Sequence, residues 1–261
     1  TTASNNIAVG LSALAANTTG ANNTAVGRES LLANTTGTSN SAFGSTSLDA
    51  NTTGDYNTAI GQATLGANTT ASNNTAVGYA ALLVNTTGTG NTAVGAVAAD
   101  AFDVGSWNTA IGHTALGADT KGSHSVAVGY GALTLQNFTT ATNTYNVALG
   151  NNALYANTTG ASNTAVGYAA LTANTTGGSN IAVGTNALDA NTTGARNVAI
   201  GYDALGANTT ANNNTAVGNA SLDANTDGTA NTAVGRNALG ANTTADNNTA
   251  VGFNSLLANT T

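Results

Sequence analysis

Two histidines, four basic and eleven acidic residues, and no cysteine are the ionisable inventory of this 261-residue chain, tyrosines apart. Catalysis would need unlike groups to converge, a nucleophile beside a base or a set of metal ligands. His113 directly follows Gly112 while His124 falls in the next turn of a repeat, so the pair differs in phase and reads as surface histidines. Asp49, Asp100, Asp189 and Asp223 share one phase but are scattered among the repeats, and the Gly-Asp nonapeptides of calcium-binding rolls are missing. The reading is no catalytic residue, no cofactor and no metal, which makes an enzyme the least expected class.

Composition narrows the partners. The net charge is −7, and the basic residues (Arg28, Lys121, Arg196 and Arg236) form no stripe, so no nucleic-acid partner is expected. Apolar runs such as residues 80–84 are far too short to span a bilayer, so no membrane insertion is expected. Only 6% of residues are charged; Asn and Thr must supply most of the solvated surface, 32 Gly the turns, and Leu, Val, Ile and Ala a thin core. With no Met, and with both ends inside "ANTT" units, the chain reads as a piece of a longer fibre.

What positions these residues is a repeat. Counting the glycine of "AVG" as position 0, it recurs at Gly10, Gly27, Gly44, Gly61, Gly78, Gly95, Gly112 and Gly129, then from Gly150 to Gly252. The period is 17 residues, except for 21 between Gly129 and Gly150. Helical repeats need about 30 residues or more, so a period this short predicts an all-β parallel solenoid, a β-roll of about fifteen coils stacked into one domain over residues 1–261. At the ~4.8 Å spacing of paired strands, fifteen coils make a rod on the order of 70 Å.

Alternation within "NTAVG" predicts that positions −3 and −1 point inward, facing a Leu at +4 and an Ala at +6, with "NTTG" as the turn between. All charged residues, Asp119 among them, then fall outside the inward columns. By the same parity the Ala at −2 faces outward, although it is Ala in every coil. Ala8, Ala25, Ala42, Ala59, Ala76, Ala93, Ala165, Ala182, Ala199, Ala216, Ala233 and Ala250 therefore read as a small-residue strip packed against another chain.

The "NTT" triplets at Asn17, Asn34, Asn51, Asn68, Asn85, Asn157, Asn174, Asn191, Asn208, Asn242 and Asn259 are formal N-glycosylation acceptors. Stacked Asn and Thr would equally form hydrogen-bonded ladders, the favoured reading. Ice binding would need outward Thr at i and i+2, which an inward "NTAVG" Thr does not supply. Two stretches break the pattern: residues 96–107, with Phe102 and Trp107, and the insertion-containing coil 130–149, with Phe138 and Tyr145. These four aromatics would either form a patch for sugar or partner contact or fill an irregular core.

"NTAVGYAAL", "NVAIGYDAL" and "SVAVGYGAL" resemble the S-V-A-I-G head repeats of trimeric autotransporter adhesins of the YadA type, and similar arrays occur in phage tail-fibre-like proteins. Those heads are left-handed parallel β-rolls with repeats nearer fourteen residues, three chains to a head. The resemblance implies a non-enzymatic rod at an extracellular, cell-surface or virion location. Expected partners are copies of the chain itself, as a homotrimer or a helical or end-to-end polymer, and surface glycans. Thr2 and Thr261 stand at one phase with no polar cap, which favours end-to-end stacking.

Overall fold

The computed structural model describes residues 3–260; Thr2 and Thr261 lie outside them. The fold is all-β, a parallel solenoid of 17-residue coils as the spacing predicts, in two compact units. The first runs to Ser125 and includes Asn137–Asn143; the second takes Val126–Gln136 and the chain from Thr144 onward. In the first unit seven three-residue strands, from Ile7–Val9 to Thr109–Ile111, pair in parallel and in chain order. Their register is one repeat throughout: Thr24 lies beside Ser41, Ala25 beside Ala42, Val26 beside Phe43. The second unit repeats this with eight strands, from Val126–Val128 to Thr249–Val251. The four extra residues do not disturb its register, since Val147 still pairs with Val126. Part of the insertion instead forms a short strand, Thr142–Asn143, paired with Gly122–Ser123 in the first unit.

Each strand stops after three residues because the next position is a glycine that only glycine can be. Its φ lies between 126° and 139° in every coil, and a Cβ on Gly61 would sit 2.4 Å from the carbonyl oxygen of Gly78. Beyond it the chain alternates hand: positions +2 and +4 are left-handed, as at Glu29 (φ 58°) and Leu31 (φ 52°). The second wall is therefore a succession of turns, not a strand. Left-handed backbone costs a non-glycine residue roughly 1–2 kcal/mol. Full burial of the Leu, worth about 1.5–3 kcal/mol, offsets it.

The Leu column faces inward as predicted, with Ala99 taking its place in one coil. The parity of the strand, however, is opposite to the expectation. Alanine at −2 has no accessible surface from Ala25 to Ala233 and 3% at Ala250; only Ala8 is exposed. Positions −3 and −1 point outward. The reason is volume: a Leu from the turn wall already occupies the centre of so narrow a coil, and the facing column must be small. The Ala at +6 is also displaced, to the half-buried rim (Ala33, Ala50, Ala67), and position +3 (Ser47, Thr64, Ala81) is buried instead.

The rest of the interior is amide. Asparagines at −4 and +7 are buried in nearly every coil. At +7, Asn51 Nδ2 donates to Asn34 Oδ1 (2.8 Å) and to the Gly54 carbonyl (3.1 Å), and the pattern repeats at each step. At −4, Asn23 Oδ1 accepts the backbone N–H of Asn40 (2.9 Å), while its Nδ2 donates to the Gly37 carbonyl (2.8 Å). Asn34 donates to that same carbonyl, so the two ladders are tied together. Outside the amides, one threonine carbonyl closes the turn in most coils: Thr52 O accepts the N–H groups of Thr35, Thr36 and Gly37 and the Thr35 hydroxyl.

Three successive coils break the +7 ladder with Phe102, Asp119 and Gln136. Asp119 is fully buried, which corrects the expectation that every charge lies outside the core. Its Oδ1 replaces amide partners with backbone donors, accepting N–H groups from Gly122 (3.0 Å), Phe138 (3.1 Å) and Lys121 (3.3 Å). Asn85 Oδ1, which would meet an asparagine at 102, meets Phe102 instead; among the described residues it is buried without a hydrogen-bond partner.

Candidate interaction surface

The outward face of each strand carries two residues, at −3 and −1. Position −3 is Thr or Ser in most coils and Ile or Val in the others; position −1 is always Val, Ile, Leu or Phe. Strand pairing stacks them into two parallel rows on a flat face in each unit. Phe43, Ile60 and Ile111 are about 40% exposed in the first unit, and Leu149, Ile200 and Val234 similarly in the second. An apolar residue held at −1 in every coil while half exposed forms a continuous apolar row, not scattered surface residues.

The expected interchain alanines take no part in this face. From Ala25 to Ala250 their side chains are enclosed by their own coil and have no surface to give a second chain. Asn, Ala and Gly at −4, −2 and 0 share one parity, so the three columns face inward together.

The "NTT" asparagines are the ladder, not open acceptors. From Asn34 to Asn242 those triplet asparagines are fully buried, with Nδ2 bound to a neighbouring amide or to the turn carbonyl. Asn17 and Asn259 are half-buried, and their Nδ2 groups donate too. A glycan on any fully buried Nδ2 would have to displace those bonds and the coil around them.

Of the four aromatics expected to meet a ligand, the structure separates two from two. Phe102 is fully buried and Phe138 is 7% exposed, so neither can touch one; each fills a gap in the core. Trp107 and Tyr145 are exposed, the Trp107 ring lying against the bare Cα of Gly90. His113 and His124 are exposed as expected. No group of three or more His, Cys, Asp or Glu converges among the described residues.

The column at +5 shows an order that position-by-position reading missed. Asp49, Asp100, Asp189 and Asp223 are each followed in the next coil by glycine: Gly66, Gly117, Gly206 and Gly240. A Cβ on those glycines would lie only 3.4–3.7 Å from the aspartate Oδ1, so each carboxylate rests on bare backbone. Burial pushes all four carboxyls above the ordinary range, against hydrogen bonds from nearby backbone N–H groups that pull them down. At Asp189 repulsion from Asp203 is the next cause after burial, while Glu29 and Asp203 add the smallest upward pushes at Asp49 and Asp223 respectively. The Asp49–Gly66 step opens a hollow of about 360 Å³ backed by Leu83 and Val84. A second hollow, about 260 Å³, lies between Tyr130 and Tyr155 in the second unit.

Comparison with protein-family models, with curated proteins and with solved structures finds no match for this chain.

Proposed function

We propose that this protein is a structural component of an extracellular or surface fibre, and that its chains join through the outward threonine and apolar rows. The observation that carries the reading is the apolar residue at −1, kept in all fifteen strands although it points to solvent. An outward row at −1 that never varies toward polarity fits burial against a copy of itself. Resemblance of the "NTAVGYAAL" units to adhesin heads and tail-fibre-like arrays supports the same class, with a homotrimer or a longer polymer as the assembled form.

Sedimentation velocity on the native chain and on an Ile60→Lys, Ile200→Lys double variant tests this. The native chain should sediment as trimers or larger species, and the variant as a monomer with unchanged circular dichroism. A native chain that stays monomeric across the concentration range would sink the proposal.

One observation favours a second reading, ice binding. The strand threonines that parity had placed inside in fact face solvent, beside a row of Val and Ile on a flat sheet. Thermal hysteresis in the native chain, lost in the same double variant, would support this reading over the first.

A further inference from the structure

The hollow between Tyr130 and Tyr155 is built by a single exception in the repeat. Position +2 carries a side chain in fourteen of the fifteen coils and glycine only at Gly131. A Cβ there would fall 2.5 Å from Asn152 Oδ1 and 3.4 Å from the Tyr155 ring. Its absence lets Asn152 and Tyr155 move in against the backbone beside Tyr130, and Thr172 of the following coil completes the lining. Tyr155 is the only aromatic residue at +5 in the chain. Two departures from the repeat thus coincide at one place.

The chemistry of that lining is narrow. Tyr130 is 57% and Tyr155 39% exposed, and Asn152 and Thr172 complete the lining with an amide and a hydroxyl. No charged side chain contributes to it. A neutral ligand with an apolar face for a ring and a rim of hydroxyls for an amide satisfies all four residues at once, whereas an ionic ligand would find no charged side chain to pair with. We infer that Tyr130, Asn152, Tyr155 and Thr172 form a carbohydrate subsite that takes one pyranose ring, stacked on a tyrosine and hydrogen-bonded to Asn152 and Thr172. The ring of Tyr155 lies against the bare backbone of Gly131 on the same turn wall, so the subsite is preformed. This inference stands apart from the chain packing proposed above, since the subsite lies on the turn wall and uses none of the outward strand rows.

Saturation-transfer NMR with the methyl glycosides of glucose, galactose, mannose and N-acetylglucosamine is the test. At least one should receive saturation on its C–H face, and Tyr155→Ala and Tyr130→Ala should each weaken that binding at least tenfold. Tyr79→Ala, which removes an exposed tyrosine at the same position as Tyr130 but with no second ring, should leave it unchanged. Circular dichroism and sedimentation of all three variants should match the native chain. No response from any of the four sugars would overturn the inference, as would a response indifferent to Tyr155 and Tyr130. Binding of a proline-rich peptide, but no sugar, in a Tyr155-dependent way would overturn it in favour of a peptide groove.

Discussion

An aspartate resting on a glycine backbone is an uncomfortable anion. Asp49, Asp100, Asp189 and Asp223 are each held above the usual carboxylate range because partial burial removes water that one or two local N–H groups only partly replace. A carboxyl whose folded pKa is raised favours folding fully at low pH, and that contribution is lost as pH climbs through the raised value. Stability from these four residues should therefore fall as pH rises from the ordinary aspartate range, near 3.9, toward neutrality. Asp246 acts oppositely: Thr229 donates its N–H and hydroxyl to the carboxylate, which lowers the pKa, so its contribution is lost in acid. Being fully exposed, it weighs little. Replacing all four half-buried aspartates of this column with asparagine should raise the melting temperature at pH 7 and leave it unchanged near pH 3, as differential scanning calorimetry at both values would show. A variant equally stabilised at both pH values would mean that shape, not charge, sets the cost.

At the scale of the coil, three kinds of residue divide the labour. Glycine at 0 permits the close approach of stacked backbones, leucine at +4 fills the centre, and the asparagines at −4 and +7 satisfy turn carbonyls that water cannot reach. The strand alanine is the limiting dimension. Ala93→Val should overpack the interior and cost about 1–3 kcal/mol in urea unfolding, whereas Val94→Thr, one residue away on the outer face, should change little. Equal effects would return the strand to the parity that alternation alone suggests. That parity was the part of the coil the sequence left ambiguous. The period, the glycine hinge, the leucine wall and the asparagine ladder were all legible from recurrence at fixed spacing. The facing of "TAV" was not, because the usual rule sends the larger apolar residue inward, and here the space left by leucine admits only the smaller one. Phe102, Asp119 and Gln136 were legible in principle, since each stands seven residues after its glycine where other coils have asparagine. The tyrosine hollow was marked only by Gly131 and by Tyr155 standing where no other coil has an aromatic residue.

Across the molecule, each coil is bonded only to its neighbours. Among the described residues, hydrogen bonds between coils join residues up to 18 apart, or up to 22 apart around the insertion. Stability is then close to a sum over coils and their contacts, with no distant pair to satisfy. Excising residues 46–62, one full period of the first unit, would bring Asn68 to Asn34 as its new ladder partner and Ala63 directly after Ser45, in phase. The shortened chain should fold with native-like circular dichroism and a small loss in melting temperature. Excising eight residues instead should cost far more, because what is left of that coil is too short to form both the strand wall and the turn wall, and both asparagine ladders would be cut there.

The amide ladder also bears on how the protein ages. Deamidation begins when an asparagine side chain swings round to be attacked by the next backbone nitrogen, and an amide clamped between a neighbouring amide and a turn carbonyl has no freedom to swing. Without Cys or Met, the chain also lacks the side chains that oxidise most readily. A sequence this rich in asparagine would decay quickly as an open chain. Wound into coils, it keeps its ladder asparagines where the reaction has no geometry, so the lifetime of that part of the material becomes a property of its fold.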